Sequence, residues 1–208
     1  MAFLLSLLFA VVSGSAPWLL TRVKVTPLVV ALILGLVLSA LTVALNIALY
    51  PWSNALVLVV ALSAGVLLGR SRPATHMKLL LTVLLVLSAL DIVQNALPGP
   101  SAPSAGAAPS PAHLAGNLLL LLPWGRFNLG IFDILLIALI SEYGRRRGDP
   151  FVFTLLPGML GIAFAFAFLF LIYQGSLPLI PFLTAGWLCT LALLHLLRLP
   201  GKQPPMGQ

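Results

Sequence analysis

Residues 27–49, PLVVALILGLVLSALTVALNIAL, run for 23 positions without a charged side chain. A helix rises about 1.5 Å per residue, so about 20 apolar residues cross the hydrocarbon core of a bilayer. Stretches of this kind recur along the chain. Seven qualify or nearly do, at roughly 2–20, 27–49, 54–70, 77–97, 127–144, 151–173 and 180–198. Only 7% of the 208 residues are charged, against about 25% in soluble domains. The expected fold class is therefore all-α, a polytopic membrane protein of about seven transmembrane helices in contact with the lipid bilayer. Segment 98–116, PGPSAPSAGAAPSPAHLAG, is an expected irregular loop. The following NLLLLLPW is too short to span and is expected as an interfacial or re-entrant piece.

The net charge of +7 does not point to nucleic acid, because the basic residues lie singly or in short runs between apolar segments. There they orient a chain in a membrane. With seven spans, Arg22, Lys24, Arg70, Arg72, Lys78, Arg145, Arg146, Arg147, Arg198 and Lys202 fall on one side, and only Arg126 on the other. The ten-residue side is expected to be cytoplasmic, with the amino terminus outside and the carboxy terminus inside. MAFLLSLLFAVVSGSA also has the apolar run of a signal peptide. It lacks a basic start, which favours a retained helix. The single Cys189 excludes an internal disulfide and a cysteine-based metal site, and packing is its expected role. His76, His113 and His195 have no ligand spacing, so no metal and no cofactor are expected. Nothing in the sequence specifies an oligomeric state.

Against this apolar background stand four acidic residues. Glu142 and Asp149 flank the arginine run at 145–147, whereas Asp91 lies in LLLTVLLVLSALDIVQNAL and Asp133 in FNLGIFDILLIALISEY. A carboxyl at membrane depth costs about 2.5 kcal/mol or more and marks a candidate functional site. Each aspartate is six residues from the expected outer end of its helix, about 9 Å deep at the helical rise. Consecutive antiparallel helices then set both carboxyls at one depth. Two neighbouring carboxyls cannot both ionise easily and come to share a proton. One can act as general base on a water while the other polarises a peptide carbonyl. Two further readings stay open: protonated aspartates bonded to neighbouring helices, and a proton or cation relay. A third element lies on the same side, Ser176-Leu177-Pro178-Leu179-Ile180-Pro181-Phe182. Its two prolines hold the backbone extended and remove two donors, as at the mouth of a site or at a helix start.

These three segments together resemble the presenilin and signal peptide peptidase family of intramembrane aspartyl proteases. In that resemblance Ala89-Leu90-Asp91-Ile92-Val93 stands for the first catalytic segment, Gly130-Ile131-Phe132-Asp133 for Gly-x-Gly-Asp, and Pro178-Leu179-Ile180-Pro181 for Pro-Ala-Leu-Pro. It implies that Asp91 and Asp133 are catalytic. It also implies that Gly130, Phe132, Pro178, Leu179, Ile180 and Pro181 contact a transmembrane peptide substrate. The implied organisation is an N-terminal three-helix part at 1–76, a presenilin-like catalytic part at 77–198 with its loop at 98–126, and a cytoplasmic tail at 199–208. Phe132 replaces the second glycine, so a phenyl ring stands where close backbone approach is needed. Leu90 replaces a tyrosine, Ile180 replaces a leucine, and three helices precede the first aspartate instead of five. A catalytically inactive homologue is the corresponding alternative. The prepilin peptidases are a second resemblance, through Pro178 to Leu183 and through Pro98 after Asp91. Leu135 stands where they carry a lysine, and their site faces the cytoplasm. The inferred orientation is similar to that of signal peptide peptidase, and that resemblance is preferred.

Overall fold

The computed structural model of the chain describes residues 2–47, 52–71, 76–96, 117–122, 125–171 and 179–197. Among these residues there are seven helices: α1 (Ala2–Leu19), α2 (Val25–Ala44), α3 (Trp52–Arg70), α4 (Met77–Ala96), α5 (Ile131–Arg147), α6 (Phe151–Leu171) and α7 (Ile180–Leu196). Each of the seven long apolar stretches singled out in the sequence carries one of them. Three are long and apolar enough to cross a membrane, over Val25–Ala44, Trp52–Arg70 and Phe151–Phe168, and Phe3–Leu19 and Ile180–Leu196 are shorter apolar helices. The loop expected at 98–116 and the tail at 199–208 lie outside the described residues.

The helical expectation needs one correction. Asn117–Leu122 and Gly125–Gly130 form an antiparallel hairpin, β1 and β2, with Leu122 opposite Gly125 and Asn117 opposite Gly130. The apolar piece NLLLLL is thus a strand. Residues 127–130, expected in the first turn of a helix, pair with β1 instead. Pairing satisfies the backbone of this short segment, which is too brief to be a stable spanning helix. Helix α5 therefore starts at Ile131.

Helix α5 is the centre of the bundle. Ile134 and Leu136 through Gly144 are all buried. α1, α3, α6 and α7 all pack against it. A helix buried on every face loses its amphipathic pattern and becomes a shared core. By contrast α2 packs on α3, and of its residues only Leu28 and Gly35 are buried, so it forms the outer edge. The α3–α5 seam is closed by glycine. A Cβ on Gly65 would stand 2.5 Å from the Leu135 carbonyl oxygen, and one on Gly69 would stand 2.7 Å from Glu142 Cβ. Small residues four apart let backbones meet where lipid offers no competing hydrophobic gain.

Helix α5 ends at Gly148, whose φ of 84° is left-handed; its N–H donates to Arg145 O, and the Asp149 N–H donates to Gly144 O. This closes the free carbonyls of the last turn. Arg145, Arg146 and Arg147 in that turn also suit the negative end of the helix dipole. Pairing of Gly65 with the Leu135–Leu139 region and of Gly69 with Glu142 shows that α3 and α5 run parallel. The bundle thus has two distinct ends. One carries the hairpin, the start of α5 and the start of α7; the other carries Arg70 and the arginine run.

Candidate functional site

Asp133 is the third residue of α5, not six residues inside a helix as the apolar run implied. Its Oδ2 accepts a hydrogen bond from the Gly130 N–H at 3.1 Å. A carboxylate at this position satisfies one of the free donors of the helix start and complements its positive dipole. Gly130 has extended backbone (φ −66°, ψ 147°), so the strand β2 passes directly into the turn that holds the carboxyl. The geometry of the hairpin fixes what borders it. With Leu122 opposite Gly125 as the last pair of the ladder, antiparallel alternation points the N–H groups of Arg126, Asn128 and Gly130 away from β1. The Gly130 N–H, taken by Asp133, agrees with this. The outer edge of β2 therefore runs up to Asp133.

Asp91 lies five residues before the end of α4. Its Oδ2 accepts the Ile180 N–H at 3.1 Å. Ile180 opens α7, with Pro181 in the first turn, where a missing N–H costs nothing. Two buried hydroxyls stand a turn away: Thr184 Oγ1 donates to the Ile180 carbonyl at 3.0 Å and lies 3.0 Å from Ser88 Oγ. With the threonine proton so used, Ser88 is the donor between the two. α4 is thereby tied to the start of α7 at both Asp91 and Ser88. Both aspartates are half-buried, and the start of α7 touches both of their segments: the Ile180 N–H bonds Asp91, and Leu179 packs against the cluster of Ile134, the residue after Asp133.

The route by which they meet differs from the expected one. α4 packs chiefly on α7, whereas α5 packs on α3, α1, α6 and α7. The two segments meet at the start of α7, α4 through the Asp91–Ile180 bond and α5 through Leu179, rather than across a common α4–α5 seam. Leu179, half-buried, packs against the cluster holding Ile134 and Val57 and against the cluster holding Leu136 and Leu183. The structure thus gathers Asp91, Asp133, Gly130, Leu179 and Ile180, with Pro181 in the adjoining turn. Pro178 lies outside the described residues. Phe132 is not part of this gathering: it is 65% exposed and lines an apolar cavity of about 490 Å³ with Leu32 and Leu36 of α2 and Val60 and Ala64 of α3. Its ring is not wedged over the carboxyls.

A second polar cluster, treated in the sequence only as a helix-end charge run, occupies the other end. Glu142 is fully buried; Arg145 donates to both its oxygens at 2.8 and 2.7 Å, and Arg70 Nε lies 3.5 Å from Oε1. Arg70 also donates to the Leu20 and Val23 carbonyls at 2.7 and 2.8 Å, which staples the α1–α2 turn to α3. Arg147 bonds Asp149 through two contacts of 3.0 Å. The spacing of Glu142 and Arg145, three apart on a helix, was the available signal. Among the described residues no group of three or more His, Cys, Asp or Glu side chains is placed to hold a metal ion. No family model matches the chain, and no curated protein or solved structure matches it.

Proposed function

We propose that the chain is an intramembrane aspartyl protease-like protein that hydrolyses transmembrane or signal-peptide helices with the pair Asp91 and Asp133. The observation that carries this reading is the meeting of three segments distant in sequence at the start of α7: the Ile180 N–H bonds Asp91 of α4, and Leu179 packs against Ile134, next to Asp133 behind the hairpin. The same three segments carry the resemblance to the presenilin and signal peptide peptidase family. In this mechanism one aspartate is ionised and the other protonated. The ionised carboxylate takes a proton from water as the water oxygen bonds the peptide carbonyl carbon, and the protonated partner gives its proton to the carbonyl oxygen. Collapse of the resulting diol breaks the C–N bond, and the amine leaves with a proton from a carboxyl.

A helical substrate has its backbone groups bonded to one another and must unwind before its carbonyl can be attacked. In an apolar medium the freed groups need new partners. In this reading the outer edge of β2, with the N–H groups of Arg126 and Asn128 directed away from β1, supplies them as in strand addition. Cleavage of a labelled apolar helix in liposomes tests the reading. Asp91→Asn and Asp133→Asn are each expected to abolish it, because a single carboxyl cannot fill both roles. If wild type cuts no helix and an aspartate variant instead changes proton flux across the liposome, a proton pathway replaces the protease.

A further inference from the structure

The geometry points to a binding site for the phosphate of an anionic glycerophospholipid, formed by Arg22 and Lys24 of the α1–α2 turn and Arg146 of α5. The argument starts from which charges at this end are already balanced. Arg70 and Arg145 share the buried Glu142, and Arg147 holds Asp149, which is only 6% exposed. Both carboxylates of this end are thereby consumed inside the protein. Arg22, Lys24 and Arg146 are exposed, and among the described residues none has an acidic partner.

The segments that carry these three cations are held to one another. Arg70 fixes the turn bearing Arg22 and Lys24 through the Leu20 and Val23 carbonyls. Arg146 donates to the carbonyls of Gly69 and Ser71, on either side of that same Arg70. The turn and the end of α5 are thus clamped to one point, the end of α3. Trp18, 37% exposed and bonded through Nε1 to Thr154 Oγ1 at 3.0 Å, stands at the same end with its ring edge-on to Phe151. An indole with one apolar and one bonded edge is the side chain of a membrane–water boundary. A cluster of unbalanced cations at that level, beside apolar helices, meets lipid phosphates before any soluble anion. Arginine suits a phosphate because its donors form a planar fork.

The test uses the full chain in detergent micelles, with phosphatidylglycerol and phosphatidylcholine as the probes. Native mass spectrometry counts the lipids retained, and a thermal midpoint is recorded with each. Wild type is expected to retain phosphatidylglycerol over phosphatidylcholine by roughly tenfold or more, given the attraction of each basic side chain near a membrane surface. The triple variant R22Q/K24Q/R146Q is expected to lose that preference, and the double variant R22Q/K24Q, which leaves the Arg146 bonds to Gly69 and Ser71 in place, is expected to lower it several-fold while keeping its midpoint in phosphatidylcholine. Equal retention of the two lipids by wild type overturns the proposal, as does a preference that survives in the triple variant. Stabilisation by inorganic phosphate equal to that by phosphatidylglycerol also overturns it in favour of a soluble-anion site. Should the triple variant fail to fold, R22Q and K24Q alone decide: each changes one exposed, unpaired side chain and must lower the preference several-fold.

Discussion

Single side chains at the two ends of the bundle carry opposite kinds of consequence. Glu142 has no exposure and two arginine partners, so its loss strands positive charge against buried surface. Glu142→Ala is expected to destabilise the fold by about 3–5 kcal/mol, the usual cost of breaking one side of a buried pair. Chemical denaturation in mixed micelles, followed by tryptophan fluorescence, measures this. The aspartates at the other end accept backbone donors, the N–H groups of Gly130 and Ile180. Their asparagine variants keep an acceptor oxygen for those donors and are expected to fold with near wild-type stability while losing cleavage. Phe132 separates geometry from motif resemblance. Its place beside Asp133 suggests a ring blocking the approach of substrate, but the ring lies on the cavity shared with α2 and α3. Phe132→Gly is therefore expected to change the rate of helix cleavage by less than about tenfold, a small change on the scale set by removing a catalytic acid or base.

At the scale of elements the hairpin makes the sharpest prediction. The Asn128 N–H points away from β1, whereas that of Phe127 points into the pair. Proline is tolerated at an unpaired edge position but not within the ladder. Asn128→Pro should keep the hairpin and raise KM for a helical substrate, because it deletes a donor from the outer edge. Phe127→Pro should disrupt the hairpin itself and disturb Asp133 through Gly130. Steady-state cleavage kinetics with both variants distinguish a docking edge from a mere connector. This element was also the least legible in the sequence. Apolar runs located the seven helices among the described residues, because a long apolar run has few other ways to satisfy its backbone. NLLLLL has neither a period of two nor a period of 3.6, so its pairing was invisible, and with it the true start of α5. The aspartates stood out in the sequence because carboxyls are so rare in this chain. The bond from Asp91 to the start of α7 was not legible, since hydropathy is blind to which face of α4 packs on which neighbour. Ser88 and Thr184, which join those helices, read as ordinary small polar residues.

On the scale of the whole molecule, basic residues of the α1–α2 turn, α3 and α5 gather at one end through the contacts of Arg70 and Arg146. If that end faces the cytoplasm, reporter domains fused at Gly106 and after Gln208 will report outside and inside respectively; a cytoplasmic Gly106 reverses the orientation. The central position of α5 bears on biogenesis as well. If the chain spans the membrane as proposed, α1 to α4 enter it before residues 131–147 exist, and α1 and α3, which each pack on α5, make few contacts with one another. A nascent chain stalled before Ile131 would hold those helices without their common partner, with the glycine face of α3 open to lipid. Protection from added protease should therefore arrive late and abruptly, as α5 leaves the ribosome, rather than helix by helix.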